Sequence, residues 1–180
     1  MGKNLHKMIQ SRSLRLAAAL LVLICTVGCD QATKHLARTQ LSQSGPANLA
    51  GGCIQLVISE NPGGFLSLGS GLPQNLRVGI LMVGVGLGLT LLLAHMLRTA
   101  KLPWIAFMGL ALIWAGGASN LIDRFFRHGL VTDFIFVRFG PLHTGVFNVA
   151  DMAIVAGALL LIASVRSRHK EDQASGKPAA

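Results

Sequence analysis

The 180-residue chain has no tyrosine, three cysteines and seven acidic side chains, and each shortage narrows what it can do. Aromatic residues make up only 6% and are not interleaved with the basic ones, so the net charge of +9 is not that of a nucleic-acid-binding surface. The lysines and arginines stand beside hydrophobic blocks instead, where they set topology and meet anionic lipid. Three scattered cysteines make no disulfide framework. Cys25 and Cys29 sit within an apolar run as small apolar side chains, Cys53 is alone in a loop, and no histidine is placed near them by local spacing to activate a thiol. Charged residues are 13% of the chain and hydrophobic ones 52%, the latter gathered in blocks, which is a membrane-protein composition.

Lys3, Lys7, Arg12 and Arg15 precede an apolar run from Leu16 to Cys29. Alone this reads as a secretory signal, and Thr26–Cys29 (TVGC) as a weak lipoprotein cleavage box. The run instead continues helically through Asp30-Gln31-Ala32-Thr33-Lys34, with Asp30 and Lys34 one turn apart and acid before base, so the first span is expected to be retained and to end in an ion pair. Leu41 to Gly52 is rich in Ser, Gly, Pro and Asn and reads as a loop. Ile54 to Ser59 alternates as a short strand, and Glu60-Asn61-Pro62-Gly63-Gly64-Phe65 then forces a tight turn. Val78 to Leu97 and Pro103 to Ile122 are the second and third spans, each about 30 Å at 1.5 Å per residue, and Val146 to Val165 is the fourth. Residues 1–166 form a single polytopic membrane domain, and the charged, then Ser/Gly/Pro/Ala-rich tail, 167–180, is expected to be disordered and cytoplasmic.

Ten of the sixteen lysines and arginines fall in the N-terminal segment, the connection between spans two and three, and the tail, which predicts that both termini are cytoplasmic. Acids divide the other way. Glu171 and Asp172 are in the tail, while Asp30, Glu60, Asp123, Asp133 and Asp151 converge on the opposite leaflet. Charged groups at bilayer depth are costly, so carboxylates beside membrane-length helices mark a functional site.

The stretch Gly116 to Asp151 holds most of them. Gly116, Asn120, Asp123 and Arg127 recur at helical spacing on one face, with Arg124 beside it, and Gly116-Gly117-Ala118-Ser119 lets another helix approach. Asp123 and Arg124 read as an ion pair. Val131 to Phe139 alternates as a strand carrying Asp133, and Asn148 and Asp151 share a face of the fourth helix, with Asp151 about five residues in, roughly 7 Å below the surface. Two carboxylates from different elements in semi-apolar surroundings suit aspartic proteolysis: held close, they share one proton, so that one activates water and the other polarises a carbonyl.

Asp30-Gln31-x-x-Lys34, Asn61-x-Gly63, Asn120-Leu121-Ile122-Asp123-Arg124, Val131-Thr132-Asp133-Phe134-Ile135 and Phe147-Asn148-Val149-Ala150-Asp151 occur in this order over residues 13–166. Together they resemble the lipoprotein signal peptidase family, also called signal peptidase II. The resemblance implies a mainly α membrane protein with four transmembrane helices and a small extracytoplasmic β-sheet cradle with a surface helix. It implies Asp133 and Asp151 as catalytic aspartates, with Asp30, Lys34, Asn61, Asn120, Asp123, Arg124 and Asn148 shaping the site or holding substrate. The substrates implied are bacterial prolipoproteins carrying diacylglycerol on a cysteine, cut just before it. The expected setting is the bacterial inner membrane, the enzyme a monomer in contact with membrane lipids, without cofactor, metal or nucleic acid. The chain departs from the family pattern in Gly64-Phe65, where the aromatic comes one place early, and in Ser119, where glycine is usual.

Two other chemistries fit these residues less well. An ion or proton translocator would place its acids near the midplane and often show internal repeats, whereas here the acids gather at one leaflet and no repeat is found. Metal-dependent hydrolysis would need His143 beside Asp133 and Asp151, but His143 lies in a Gly/Pro-flanked turn without metal-binding spacing.

Overall fold

The structure, a computed structural model, describes residues 12–64, 69, 71–99 and 102–174. Lys3, Lys7, Phe65 and the end of the tail at 175–180 lie outside them. Four helices long and apolar enough to cross a membrane carry the fold. A four-stranded antiparallel sheet, ordered β1-β2-β3-β4, joins them.

Helix α1 (Arg12–Ser44) has 33 residues and so runs about 50 Å, well beyond the roughly 30 Å of hydrocarbon. Its last turns take in Leu41 to Ser44, which the composition had marked as loop. Hydroxyls there fold back on the helix: Thr39 Oγ1 donates to the His35 carbonyl at 3.1 Å and Ser44 Oγ to that of Gln40 at 2.8 Å. Gly45, at φ +74°, ends the helix in the left-handed region, its amide bonding the Leu41 carbonyl, and Pro46 cannot continue it. The same expected loop also supplies strand β1 (Ala47–Leu49) and a 3₁₀ turn at Ala50–Gly52. β2 (Ile54–Asn61) extends two residues past the predicted strand and so carries Glu60 and Asn61. β3 (Val131–Phe139) has the predicted bounds, and β4 is the short Leu142–His143.

Helix α2 (Gln74–Arg98) begins four residues before the predicted span and contains a π-helical stretch at Gly79–Gly84. α3 (Trp104–Phe126), with Pro103 in the preceding position, packs against α1, α2 and α4 (Val149–Ala174) and is the central helix. Around it Phe107 and Ala111 pack with Ala19 and Met96 into a small apolar core. Arg15, read from sequence as a topology signal, pins the start of α1: its guanidinium donates to the Thr99 and Leu102 carbonyls and lies 5.2 Å from the centre of the Phe107 ring.

Glycines let α3 and α4 touch backbone to backbone. A Cβ on Gly116 would stand 2.5 Å from the Ala150 carbonyl oxygen, and one on Gly157 would stand 2.4 Å from that of Gly109. Helix α4 departs from the expected fourth span at both ends. It starts at Val149 instead of Val146, and it continues through Ala174 into the segment expected to be disordered.

Candidate active site

Antiparallel pairing sets Ser59 opposite Asp133 and Asn61 opposite Val131, past a register irregularity between Leu56 and Ser59. The other edge of β3 holds the approach to α4: the Phe134 and Ile135 amides both donate to the Phe147 carbonyl, and the Phe147 amide returns a bond to Ile135. Asp133 therefore lies beside the residues that open α4. Those residues form a capping box. Asn148 Oδ1 accepts the Asp151 amide at 2.9 Å while Asp151 Oδ2 accepts the Asn148 amide at 3.2 Å. Asp151 is thus the third residue of its helix, not about five residues in, and its backbone and side chain are both fixed by Asn148.

The amides of three asparagines tie the carboxylates together. Asn148 Nδ2 donates to Asp133 Oδ1 at 2.6 Å and Asn61 Nδ2 to Asp133 Oδ2 at 2.9 Å. Asn120 Nδ2 donates to Asp151 Oδ1 at 3.0 Å, and its Oδ1 accepts Asn148 Nδ2 at 3.2 Å. Asp133 and Asp151 line one cavity of about 130 Å³ with Asn61, Asn120, Arg124 and the apolar Leu81, Val85 and Ile154. Burial pushes the Asp133 carboxyl up to about 6. The Asp151 charge adds to the rise, and the Asn61 and Asn148 amides oppose it.

Behind the asparagines lies a fully buried ionic core. Lys34 Nζ contacts Asp30 Oδ2 at 2.7 Å, Asp123 Oδ2 at 2.9 Å and Asn120 Oδ1 at 3.1 Å, which engages all three of its protons. Because Lys34 faces Asn120 Oδ1, the amide nitrogen is left to face Asp151. Asp30 Oδ1 in turn accepts the Ala150 amide at 2.9 Å, at the start of α4. The predicted Asp30–Lys34 pair is present. The predicted Asp123–Arg124 pair is not: neighbours on a helix point apart, Asp123 turns to Lys34, and Arg124 donates to the Asn120 and Gly63 carbonyls. The Gly63 bond, with Asn61 Oδ1 accepting the Gly63 amide, locks the Asn61 to Gly64 turn against α3.

Three further residues complete this network; they stand within the sequence motifs, Ser119 as a departure, but carry no legible role there. Gln31 Nε2 donates to Asp123 Oδ1 at 2.9 Å, Ser119 Oγ donates to Asp30 Oδ2 at 2.6 Å, and the Thr132 amide donates to Asp123 Oδ2 at 3.2 Å. Ser119, a departure from the family pattern, thus has partners only because α1 and α3 pack here. Among the described residues no three or more His, Cys, Asp or Glu side chains form a metal-holding group. His143, considered as a ligand, turns its Nδ1 to the Thr144 carbonyl at 3.1 Å.

Residues 22–166 match the family described as Signal peptidase (SPase) II. The chain is 38% identical over 138 residues to a lipoprotein signal peptidase of Rhodococcus jostii, covering 74% of this chain and 64% of that protein. It is 36% identical over 142 residues to one of Desulforapulum autotrophicum, covering 79% of this chain and 87% of that protein. The chain thus spans slightly less than two thirds of the Rhodococcus relative. A solved bacterial membrane enzyme superposes with a TM-score of 0.72 at 20% identity, over 91% of this chain and 94% of its own, which fixes the likeness of fold. With its profile match covering most of the chain, this protein belongs to the signal peptidase II family.

Proposed function

We propose that the chain is an intramembrane aspartic endopeptidase that removes the signal peptide from diacylglyceryl-modified prolipoproteins, cutting before the lipidated cysteine. One observation carries the reading: Asp133 from a strand and Asp151 from a helix N-terminus line one small cavity and are cross-linked through Asn148 and Asn120. Membership of the family and the names of its relatives supply the substrate class.

In this mechanism the two carboxylates hold one proton. The ionised member takes a proton from water as the water oxygen bonds the scissile carbonyl carbon, and the protonated member hydrogen-bonds the carbonyl oxygen. Collapse breaks the C–N bond, with the transferred proton going to the leaving amine. Asn61, Asn120 and Asn148 hold the carboxylates in place, and Asp30, Lys34 and Asp123 hold the asparagines. Arg124 lines the same cavity, its guanidinium held by the Asn120 and Gly63 carbonyls. The distribution of basic residues supports cytoplasmic termini, with the sheet and active site at the outer leaflet of the inner membrane. The enzyme acts as a monomer without cofactor, and a chelator leaves its rate unchanged.

The test is cleavage of a lipidated precursor by purified protein, with the new N-terminus identified by mass spectrometry. A product beginning at the diacylglyceryl cysteine supports the assignment. Cleavage elsewhere, or equal cleavage of the unlipidated precursor, counts against it.

A further inference from the structure

A second cavity, of about 380 Å³, lies between the end of α1 and strand β2 and shares no lining residue with the one that holds the two aspartates. Its wall is aliphatic at Leu41, Val57 and Ile58, charged at Arg38, Glu60 and Arg127, and completed by Ser42 and Pro46. Arg127 Nη2 pairs with Glu60 Oε1 at 2.7 Å, and Arg38 Nη1 donates to Thr132 Oγ1 at 3.1 Å, which in turn bonds Glu60. The guanidiniums keep donors in reserve. Arg127 Nε is buried and has no partner among the described residues. Two cations against one carboxylate leave the pocket one positive charge in excess.

The level of these groups in the bilayer narrows what would fill the pocket. Counting about 30 Å of hydrocarbon from Leu16 reaches His35 at 1.5 Å per residue, so Arg38 stands within a turn beyond it. Arg127 follows directly on the last residue of α3, after the exposed Phe125 and Phe126. Both guanidiniums therefore reach the headgroup layer on the side of the sheet, where aromatic side chains also gather.

We propose that this cavity is a site for the phosphodiester of an anionic phospholipid of the surrounding bilayer. Arg38 and Arg127 take the phosphate oxygens, which removes the excess charge, while the glycerol end lies against the aliphatic wall. A lipid held there fastens the overhanging end of α1 to β2 and, through Thr132, to the strand that carries Asp133. The proposal requires only that the chain spans a membrane, so it stands apart from the catalytic reading.

The experiment uses the full chain purified in a neutral detergent, titrated separately with phosphatidylglycerol, phosphatidylcholine and inorganic phosphate. Native mass spectrometry reads retained lipid, and the unfolding midpoint reads stabilisation. Phosphatidylglycerol is expected to be retained and to raise the midpoint, with binding about tenfold weaker in Arg38→Gln/Arg127→Gln. Arg38→Gln alone gives the same direction if the double variant does not fold. Unchanged phosphatidylglycerol binding in these variants would overturn the site. Equal binding of phosphatidylcholine would overturn the anionic specificity, and an equal shift with inorganic phosphate would overturn the lipid assignment.

Discussion

Asp133 is buried on β3 between Val131 and Ile135 of the same face, and its carboxyl carries the clearest electrostatic cost in the site. Its folded-state value of about 6 lies above the ordinary carboxylate range, so folding takes up a proton over the interval between them. The stability associated with that proton is present below the ordinary range and is lost as pH rises through about 6. Asp133→Asn is neutral at every pH, so its stability relative to the native protein is expected to improve as pH rises. The change between pH 4 and pH 8 is on the order of 1–3 kcal/mol, on top of a pH-independent loss because asparagine cannot accept at both oxygens from Asn61 and Asn148. Unfolding curves of both proteins in detergent across this range check it; a constant difference would show that burial of the charge is not its source. Lys34 acts oppositely. Lys34→Met leaves the Asp30 and Asp123 carboxylates buried without their cation, with an expected loss of about 3–5 kcal/mol, seen as a collapse of the thermal midpoint. The Asp30–Lys34 pair was legible in the sequence because four residues on a helix make neighbours. The partnership of Lys34 with Asp123 and Asn120 was not, because it depends on how α1 meets α3, 86 residues away in the case of Asn120.

Strand β3 could be placed to the residue from its alternation and from the Gly140-Pro141 break beyond it, although its first four residues, Val131 to Phe134, are buried on both faces. Helix ends were harder. Leu41 to Ser44 looked like loop because Ser and Gln are common in loops, yet the decisive signal was Gly45-Pro46 just beyond them. The start of α4 was marked as well: Asn148 with an acid three places on is a capping box, and reading it as such places Asp151 in the first turn. The close packing of α3 on α4 holds that turn in register. Gly116→Ala would drive a methyl into the Ala150 carbonyl, a backbone atom that moves only with α4, and is expected to lower cleavage at least tenfold with helix content intact. Gly117→Ala meets only the end of the Leu89 side chain, which can turn aside, and is expected to retain most activity. Circular dichroism with a cleavage assay separates the pair; equal activity would mean that the contact of α3 with Ala150 does not position Asp151.

Across the molecule, four spans were legible because apolar blocks of membrane length admit few alternatives, while the sheet followed from two alternating segments and the family resemblance. The convergence of five acids at one end of the helices was legible as well, but what they do there was not separable until the chain was folded. Three of them divide into a buried ionic core and a carboxylate facing it across the asparagines: Asp30 and Asp123 grip Lys34, and Asp151 meets Asn120. Asp133 completes the cavity, and Glu60 belongs to a different pocket altogether. The ionic core sets two carboxylates against one ammonium, and neutral donors from Gln31, Ser119 and the Ala150 and Thr132 amides satisfy the remaining carboxylate oxygens; it fixes the asparagine amides that in turn fix the two aspartates. The central claim is that Asp133 and Asp151 together perform the hydrolysis. It is tested most directly by purified Asp133→Asn and Asp151→Asn proteins, each folded in detergent, assayed on a diacylglyceryl-modified precursor. Both are expected to bind the precursor and leave it uncut, with a rate at least about a thousandfold below native; native-like turnover by either one would contradict the dyad.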